Sequence, residues 1–302
     1  MQRATEDNPS PAPEKGKGQW RSSVGQRWLT AGIAIPLVLL FVWFGGWGAF
    51  AGTLLVTMLA AFELYNMMLH AGYRTLIVVS LGLNALFLVS AMFPAQRLFI
   101  LEVGFGATLL VSFTWLFFRK NLEGALLDWA LTLSLPLYLG WSMSLFLLLR
   151  GYDPVTFHGL GGAWIFLPRG VWWLLVVLLG VWGSDSAAFF SGHYFGRHKL
   201  APRISPAKTW EGAIGGLVLS IVAALLLTVI PLGVPWYLAI VLGILIGIAA
   251  VLGDLAESLL KRQTNVKDSG QLMRGHGGML DRIDSLLFAV IVVYIFSQFV
   301  GK

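Results

Sequence analysis

The sequence predicts an all-α, polytopic integral membrane protein with about nine transmembrane helices and a cytoplasmic N-terminus. Hydrophobic residues make up 57% of the 302 residues and charged residues only 12%, and the mean hydropathy is +0.76. Apolar runs of about 18 residues or more recur along the chain, and about 20 helical residues cross a hydrocarbon core of about 30 Å. Lys and Arg collect in alternate connections between these runs, an asymmetry typical of membrane helices.

Nine apolar segments are candidate spans. They are residues 28–45, 48–68, 75–94, 98–118, 125–149, 171–192, 212–231, 236–256 and 283–300. With the N-terminus inside, 17 of the 21 Lys and Arg residues fall on the inner side, and the other four are Arg97, Arg150, Arg169 and Lys302. This distribution favours a cytoplasmic N-terminus and places the charged loops 193–211 and 257–282 on one cytoplasmic face.

The chain divides into three regions by composition. Residues 1–27 are polar and rich in Pro, Gly, Ser and Lys, which predicts a disordered cytoplasmic tail. Residues 28–150 are nearly all apolar and are expected to be structural or to form dimer contacts, whereas residues 171–302 hold both charged loops and therefore the chemistry.

Two features of the composition exclude classes of function. The chain has no cysteine, which excludes disulfides and cysteine-based metal or thiol chemistry. The formal net charge is +6, and in an integral membrane protein this reflects Lys and Arg retained on the cytoplasmic side. We therefore expect no nucleic-acid partner.

The eighth span ends in a polar helical face. Asp254, Glu257, Ser258 and Lys261 have the spacing i, i+3, i+4, i+7, which places them on one side of a helix. A carboxylate within a span is costly, by about 2.5–3.5 kcal/mol on insertion scales. On this helix alone, a metal ligand and an ion pair of Asp254 with Lys261 or Arg262 explain the pattern equally well.

A second carboxylate group begins the last span. Asp281 and Asp284 follow the glycine-rich turn Gly-His-Gly-Gly at 275–278. Acidic residues near a helix N-terminus are ordinary partners of the helix dipole, but the glycines also allow backbone amides to line an anion. Lys and Arg flank the turn on both sides. Together the carboxylates, cations and glycines predict a Mg²⁺-phosphate site, since Mg²⁺ takes one or two protein carboxylates plus phosphate oxygens and waters.

The loop 193–211 is expected to form another wall of this site. It carries Ser205, Lys208, Thr209 and Glu211 at the entrance of the seventh span. Ser205 or Thr209 is a candidate N-cap for that helix, whose free amides would then face an anion. The simpler alternative is a cap combined with ordinary cytoplasmic positive charge.

Polar residues inside other spans are less specific. Asp185 lies within the sixth span, which predicts a position inside the helix bundle, and the small residues beside it permit close helix packing. His193 and His198 are better explained as interfacial residues than as ligands. Helix pairing or dimer contacts explain Glu63, Glu102 and Asp128 as well as catalysis does.

These motifs resemble the signature of the phosphatidate cytidylyltransferase (CDP-diacylglycerol synthase) family. The resemblance rests on residues 258–284, SLLKRQTNVKDSGQLMRGHGGMLDRID, on residues 205–212, SPAKTWEG, and on residues 185–200. It covers the last half of the chain well, whereas the first five spans match only in general character. One departure is Ala207, where many members carry a basic or polar residue.

The resemblance implies that CTP and phosphatidic acid are the substrates, that Mg²⁺ is required with a possible second metal ion, and that the protein is a homodimer in a bacterial inner membrane with its active site facing the cytoplasm. Asp254 and Asp281 are the implied metal ligands. The expected catalytic residues are Asp254, Asp281, Lys261, Lys267, Asp268 and Asp284. The expected substrate-binding residues are Ser205, Lys208, Thr209, Glu211, Ser258, Arg262, His276, Gly277, Gly278, Arg282 and Asp185.

An ion-coupled membrane transporter is the alternative function, because intramembrane carboxylates also mark ion pathways. A transporter predicts internal repeats and charges near the membrane midplane. The sequence shows no repeat at a period of 20–50 residues, and its charges cluster towards one face. The sequence therefore favours the nucleotidyl transfer over transport.

Overall fold

The computed structural model describes residue 32 and residues 35–151, 167–270 and 277–300. The predicted tail 1–27 and His276 lie outside the described residues. Eleven helices and one hairpin are described. They are α1 (Ile35–Phe44), α2 (Gly46–His70), α3 (Ile77–Met92), α4 (Arg97–Phe117), α5 (Ala125–Pro136), α6 (Ser142–Gly151), α7 (Arg169–Phe195), β1 (Lys199–Ala201), β2 (Ser205–Thr209), α8 (Trp210–Ala224), α9 (Ile230–Leu232), α10 (Trp236–Gln263) and α11 (Leu280–Val300).

The expected helical membrane architecture is confirmed, with seven long apolar helices among the described residues. These are Gly46–His70, Pro94–Phe117, Ala125–Gly151, Arg169–Phe195, Trp210–Leu232, Trp236–Gln263 and Leu280–Val300. Two of the predicted spans correspond to shorter apolar helices, α1 and α3, whose described lengths of 10 and 16 residues fall below a full crossing. The count of nine spans and the orientation stay predictions.

Two long helices contain local irregularities. Pro136 ends α5, and a π-helical turn at Leu137–Trp141 leads directly into α6, because a proline removes a backbone donor and its ring disturbs the preceding turn. A second π-helical turn, Leu225–Val229, connects α8 to α9. The predicted fifth and seventh spans are therefore each continuous segments with an internal irregularity.

The boundaries of the two charged loops differ from the prediction. The predicted loop 257–282 is shorter, because α10 continues to Gln263 and α11 begins at Leu280. The predicted loop 193–211 contains the antiparallel hairpin β1–β2, with Lys199 opposite Thr209 and Ala201 opposite Ser205. Lys261 and Arg262 therefore lie on α10, Asp281 and Arg282 on α11, and Lys208 on β2.

The C-terminal helices form the tightest part of the bundle. Helix α7 packs on α8, α8 on α10, and α10 on α11. Leu174, Val177, Leu242 and Leu287 are fully buried between them. Helix α4 lies at the periphery, and of its residues only Ser112 is buried. The charged loops are therefore attached to the most closely packed helices of the bundle.

Small residues bring these helices into close contact. A side chain at Gly216 of α8 would meet the Ser184 hydroxyl of α7 at 2.7 Å, and one at Gly253 of α10 would meet the Asp284 carbonyl oxygen of α11 at 2.5 Å. Small residues allow helix backbones to approach closely in membrane proteins, where packing drives association. Gly253 thus determines how near α11 lies to the charged end of α10.

Gly253→Ala is expected to lower the thermal unfolding midpoint in detergent. The added methyl group overpacks the α10–α11 contact, at a cost of about 1–3 kcal/mol, which outweighs the gain of about 1 kcal/mol from replacing a helical glycine.

The matched control is Gly82→Ala in α3, where an added methyl group meets no atom within 4 Å. Its midpoint is expected to stay the same or rise. Equal midpoints for the two variants would show that the α10–α11 contact tolerates the extra volume.

Candidate active site at the ends of α10 and α11

The last turns of α10 present the predicted polar face. Because the helix extends to Gln263, Asp254, Glu257, Ser258 and Lys261 all lie on it. The Ser258 hydroxyl lies 3.4 Å from Asp254 Oδ1, and Lys261 Nζ donates to Glu257 Oε2 at 2.7 Å. The predicted alignment of these side chains is confirmed.

Three carboxylates meet where α10 crosses the start of α11. Oxygen atoms of Asp254, Glu257 and Asp284 all lie within 4.8 Å of one another. Glu257 is 1% exposed and Asp284 is 9% exposed. Glu257 Oε1 is buried and has no hydrogen-bond partner within the described chain. Buried carboxylate oxygens are normally satisfied, so this one faces a position where a cation or a donor belongs.

Two lysines partly neutralise this cluster. Lys208, at the end of β2, places its ammonium group 2.5 Å from Asp254 Oδ2. Lys261 bridges Glu257 Oε2 and Asp281 Oδ1, with both distances 2.7 Å. The predicted alternative for Asp254 was a pair with Lys261 or Arg262, and the structure pairs it with Lys208 instead. The two ammonium groups therefore contact three of the four carboxylates, Asp254, Glu257 and Asp281.

Asp281 occupies a different environment from the other three carboxylates. Its Oδ2 accepts hydrogen bonds from the Gly278 amide at 2.7 Å, the Ser269 hydroxyl at 2.9 Å and the Ser269 amide at 3.3 Å. Its Oδ1 accepts from Lys261. The amide of the glycine-rich turn thus binds a carboxylate of the chain itself, and Gly277 has φ +79, a backbone conformation that favours glycine.

The predicted metal ligands Asp254 and Asp281 are not brought together as a pair. The structure groups Asp254 with Glu257 and Asp284, while Lys261 bridges Asp281 to Glu257. Asp281 therefore borders the cluster at Glu257, with which it shares Lys261. The role of Asp254 and Asp281 as metal ligands stays a prediction.

The hairpin forms a second wall, as expected for the loop that contains it. Thr209 is the N-cap of α8 and its hydroxyl accepts from the Gly212 amide at 3.2 Å, which confirms one of the two predicted caps. Ser205 instead begins β2. Arg262 Nε donates to the Ile204 carbonyl at 3.2 Å and so ties the end of α10 to the hairpin.

Glu211 stabilises the base of the hairpin. Its carboxylate lies 2.6 Å from His198 Nδ1 and accepts hydrogen bonds from the backbone amides of Arg197 and His198. The structure thus gives Glu211 contacts within the protein, and it places His198 in a structural pair. A direct contact of Glu211 with a substrate stays a prediction.

The remaining predicted residues lie on the wall of a cavity or on an exposed loop. Asp185 and Arg282 line one apolar cavity of about 510 Å³ among α1, α2, α6, α7 and α11. Lys267 and Asp268 are exposed on the loop after α10. Among the residues left open by the sequence, Asp128 pairs with Arg119 at 2.7 Å and accepts from the Arg74 amide at 2.8 Å, which supports helix pairing as its role.

Sequence reasoning assigned no definite role to three participants in this site, although it left Glu63 open between helix pairing, dimer contacts and catalysis. Glu257 was placed on the polar face of α10 without a role, although its spacing from Asp254 already carried the signal. Ser269 and Glu63 had no local signal, because their contacts join distant parts of the chain. Glu63 Oε2 accepts from the Leu280 amide at 2.9 Å and lies 3.3 Å from the Ser269 hydroxyl.

Curated relatives of the chain carry one name in common. A phosphatidate cytidylyltransferase of Haemophilus influenzae is 46% identical over 139 residues, which are 44% of this chain and 48% of the relative. One of Brucella suis is 41% identical over 160 residues, 53% of this chain and 54% of the relative. The chain thus spans about half the length of these relatives.

A longer match comes from Synechocystis, whose phosphatidate cytidylyltransferase is 32% identical over 291 residues, 90% of this chain and 95% of the relative. Residues 25–300 also match the sequence model of the Cytidylyltransferase family. That match includes α10, α11 and the hairpin, so the carboxylates and lysines described above lie within the shared region. The chain therefore belongs to the cytidylyltransferase family.

Proposed function

We propose that this protein transfers the cytidylyl group of CTP to phosphatidic acid, giving CDP-diacylglycerol and pyrophosphate for phospholipid synthesis. The observation that carries the proposal is the meeting of Asp254, Glu257 and Asp284 with Lys208 and Lys261 at one end of the bundle. Such a group of carboxylates and cations suits two polyanionic substrates. The names of the curated relatives support the same reaction.

The chemistry places modest demands on proton transfer. An oxygen of the phosphatidate phosphate attacks the α-phosphorus of CTP, and the bond from that phosphorus to the bridging oxygen of the β-phosphate breaks. A phosphomonoester is largely dianionic near pH 7, because its second pKa is about 6, so the nucleophile needs no strong general base. The protein has to hold the two anions together and stabilise the departing pyrophosphate.

Lys261 and Lys208 are suited to that task. Each ammonium group has three donors, and Lys261 uses two of them on Glu257 and Asp281. These carboxylates fix the orientation of the Lys261 ammonium group. Its third N–H donor is therefore oriented before a substrate phosphate binds. Lys208 is anchored on Asp254 from the hairpin side. The two lysines therefore approach one volume from two different secondary-structure elements.

The carboxylate cluster fits a divalent cation such as Mg²⁺. Asp254, Glu257 and Asp284 each offer a carboxylate oxygen as a metal ligand, and these oxygens lie within 4.8 Å of one another. Glu257 Oε1 has no hydrogen-bond partner among the described residues and belongs to this group. Mg²⁺ prefers carboxylate oxygens together with substrate phosphates and waters. When bound, the cation would supply charge neutralisation for the phosphates. The proposal also includes Asp281 as a metal ligand and a second metal ion at this site.

The apolar cavity supports access from the bilayer. It lies among α1, α2, α6, α7 and α11, and it carries Asp185, Ser186 and Arg282 along an otherwise mainly apolar lining. A lipid needs an apolar path for its acyl chains and a polar end for its headgroup. We propose that phosphatidic acid enters by this cavity, while CTP arrives from the aqueous side next to the hairpin.

The proposal includes the number of membrane spans, their orientation and the oligomeric state. The Lys and Arg distribution supports nine spans with the N-terminus inside and with the hairpin and the carboxylate cluster at the cytoplasmic surface. The bacterial relatives support an inner membrane. The family resemblance supports a homodimer. Neither assignment is needed for the chemistry of the cluster.

The purified protein is expected to release pyrophosphate and form a CDP-lipid when given CTP, phosphatidic acid and Mg²⁺. The reaction follows from the grouped carboxylates and lysines, which suit nucleotidyl transfer between two anionic substrates. Radiolabelled CTP measures the lipid product, and omission of phosphatidic acid is the control. Absence of a CTP-dependent lipid product across several detergents and divalent metals would refute the proposal.

Asp254→Asn and Glu257→Gln are each expected to reduce turnover by about 10-fold or more and to raise the Mg²⁺ concentration for half-maximal rate, because each removes a charged oxygen donor. Mn²⁺ binding, measured by electron paramagnetic resonance, should weaken in parallel.

Glu102→Gln is the matched control, since Glu102 lies on the peripheral helix α4, away from the cluster. It should bind Mn²⁺ like the wild type. Unchanged Mn²⁺ affinity in both Asp254→Asn and Glu257→Gln would remove these residues from the metal site.

Single cysteines test the orientation without background labelling, because the chain has no cysteine. In right-side-out vesicles, a membrane-impermeant maleimide is expected to label Gln96→Cys but not Lys120→Cys, since the proposed topology puts these exposed residues on opposite sides. Permeabilised vesicles, in which both should react, are the control. The reverse pattern would invert the proposed topology.

A further inference from the structure

Glu63 is a buried carboxylate that the proposed reaction does not use. It lies on α2, in the N-terminal half of the chain, and it is 5% exposed. Among the described residues no Lys or Arg forms an ion pair with it, and its Oε1 has no hydrogen-bond partner. An unpaired buried carboxylate is costly, so its contacts with the C-terminal half have to compensate.

The first contact caps a distant helix. Glu63 Oε2 accepts a hydrogen bond of 2.9 Å from the amide of Leu280, the first residue of α11. The first amides of a helix lack partners within the helix, and the helix dipole favours a negative charge at that end. Glu63 therefore acts as a capping group for α11, although it is 217 residues away in the chain.

The second contact reaches the loop that precedes α11. The Ser269 hydroxyl lies 3.3 Å from Glu63 Oε2 and 2.9 Å from Asp281 Oδ2. A hydroxyl has one donor hydrogen, so Ser269 is shared between the two carboxylates. Its backbone amide, 3.3 Å from Asp281 Oδ2, adds a further link. Ser269 thus connects Glu63 with Asp281.

Two glycines allow the loop to lie directly on Glu63. A side chain at Gly270 would come within 2.7 Å of the Glu63 carboxyl carbon, and one at Gly278 within 2.8 Å of it. Such separations are well below van der Waals contact. Gly278 also donates its amide to Asp281 at 2.7 Å. The backbone therefore folds around both carboxylates at once.

We infer that Glu63 is a positioning residue, which holds the loop and the start of α11 so that Asp281 orients Lys261 towards the reacting phosphates. The inference rests on the function proposed above. The line of contacts runs from Glu63 through Ser269 to Asp281, and from Asp281 to Lys261 at 2.7 Å. Lys261 in turn contacts Glu257 in the carboxylate cluster.

A pair of substitutions of similar size separates hydrogen bonding from packing. Glu63→Gln keeps an oxygen that accepts from Leu280, whereas Glu63→Met fills the same volume without such an acceptor. We expect Glu63→Met to lower kcat per folded molecule by about 10-fold or more, as for partners that orient a functional group. The KM for CTP should change far less, and Glu63→Gln should restore most of the rate.

Thr57→Ala is the matched control. Thr57 is also fully buried on α2, but its hydroxyl donates to the Thr53 carbonyl of the same helix at 2.7 Å. Its kcat should stay within about twofold of the wild type, because the lost bond is local. Equal kcat values for Glu63→Met and Glu63→Gln would overturn the inference and leave Glu63 a packing role.

Amide hydrogen exchange gives a readout that does not depend on turnover. Peptides covering residues 277–285 should exchange faster in Glu63→Met than in Glu63→Gln or Thr57→Ala, because the Leu280 amide loses its acceptor. Exchange that is identical in all three variants would overturn the inference. If the wild type forms no CDP-lipid, the proposed function fails, and the exchange comparison alone decides whether Glu63 holds the loop.

Discussion

The crowding of carboxylates where α10 meets α11 is the constraint on which the rest of the site depends. Like charges about 5 Å apart repel by about 3 kcal/mol at an effective dielectric constant of about 20. Asp254, Glu257 and Asp284 lie within that range of one another, and the tight contact at Gly253 keeps them there. Lys208 and Lys261 offset part of the repulsion, and the remainder makes the cluster attractive to a cation.

The parts of this arrangement that are local in sequence were predictable. Helical periodicity put Asp254, Glu257 and Lys261 on one face, and the Thr209 cap followed from a polar residue before an apolar run. The choice between Asp281 and Asp284 as partner of Asp254 was not predictable, because it depends on how α11 is rotated against α10. That rotation depends on contacts between segments far apart in the chain, such as the hydrogen bond of Glu63 with Leu280, which spans 217 residues.

The same reasoning explains the differences in the fold. Five residues of β2 offer too short a pattern to separate a strand from a polar loop, so the hairpin was not predicted. The end of α10 was placed at residue 256 because hydropathy falls there, yet the helix continues to Gln263. Its last turns contact the hairpin and the start of α11, and those tertiary contacts stabilise a polar helix end that hydropathy alone assigns to a loop.

The position of the cluster also distinguishes transfer from transport. Its carboxylates lie at the C-terminal end of α10 and the N-terminal end of α11, not in the middle of a span, whereas a transport pathway needs polar groups near the midplane. The apolar cavity reaches the same end of α11, where Arg282 and Ile283 line it. That location suits two substrates of opposite solubility. The N-terminal half also contributes to this end of the bundle, because Glu63 accepts a hydrogen bond from the amide of the first residue of α11.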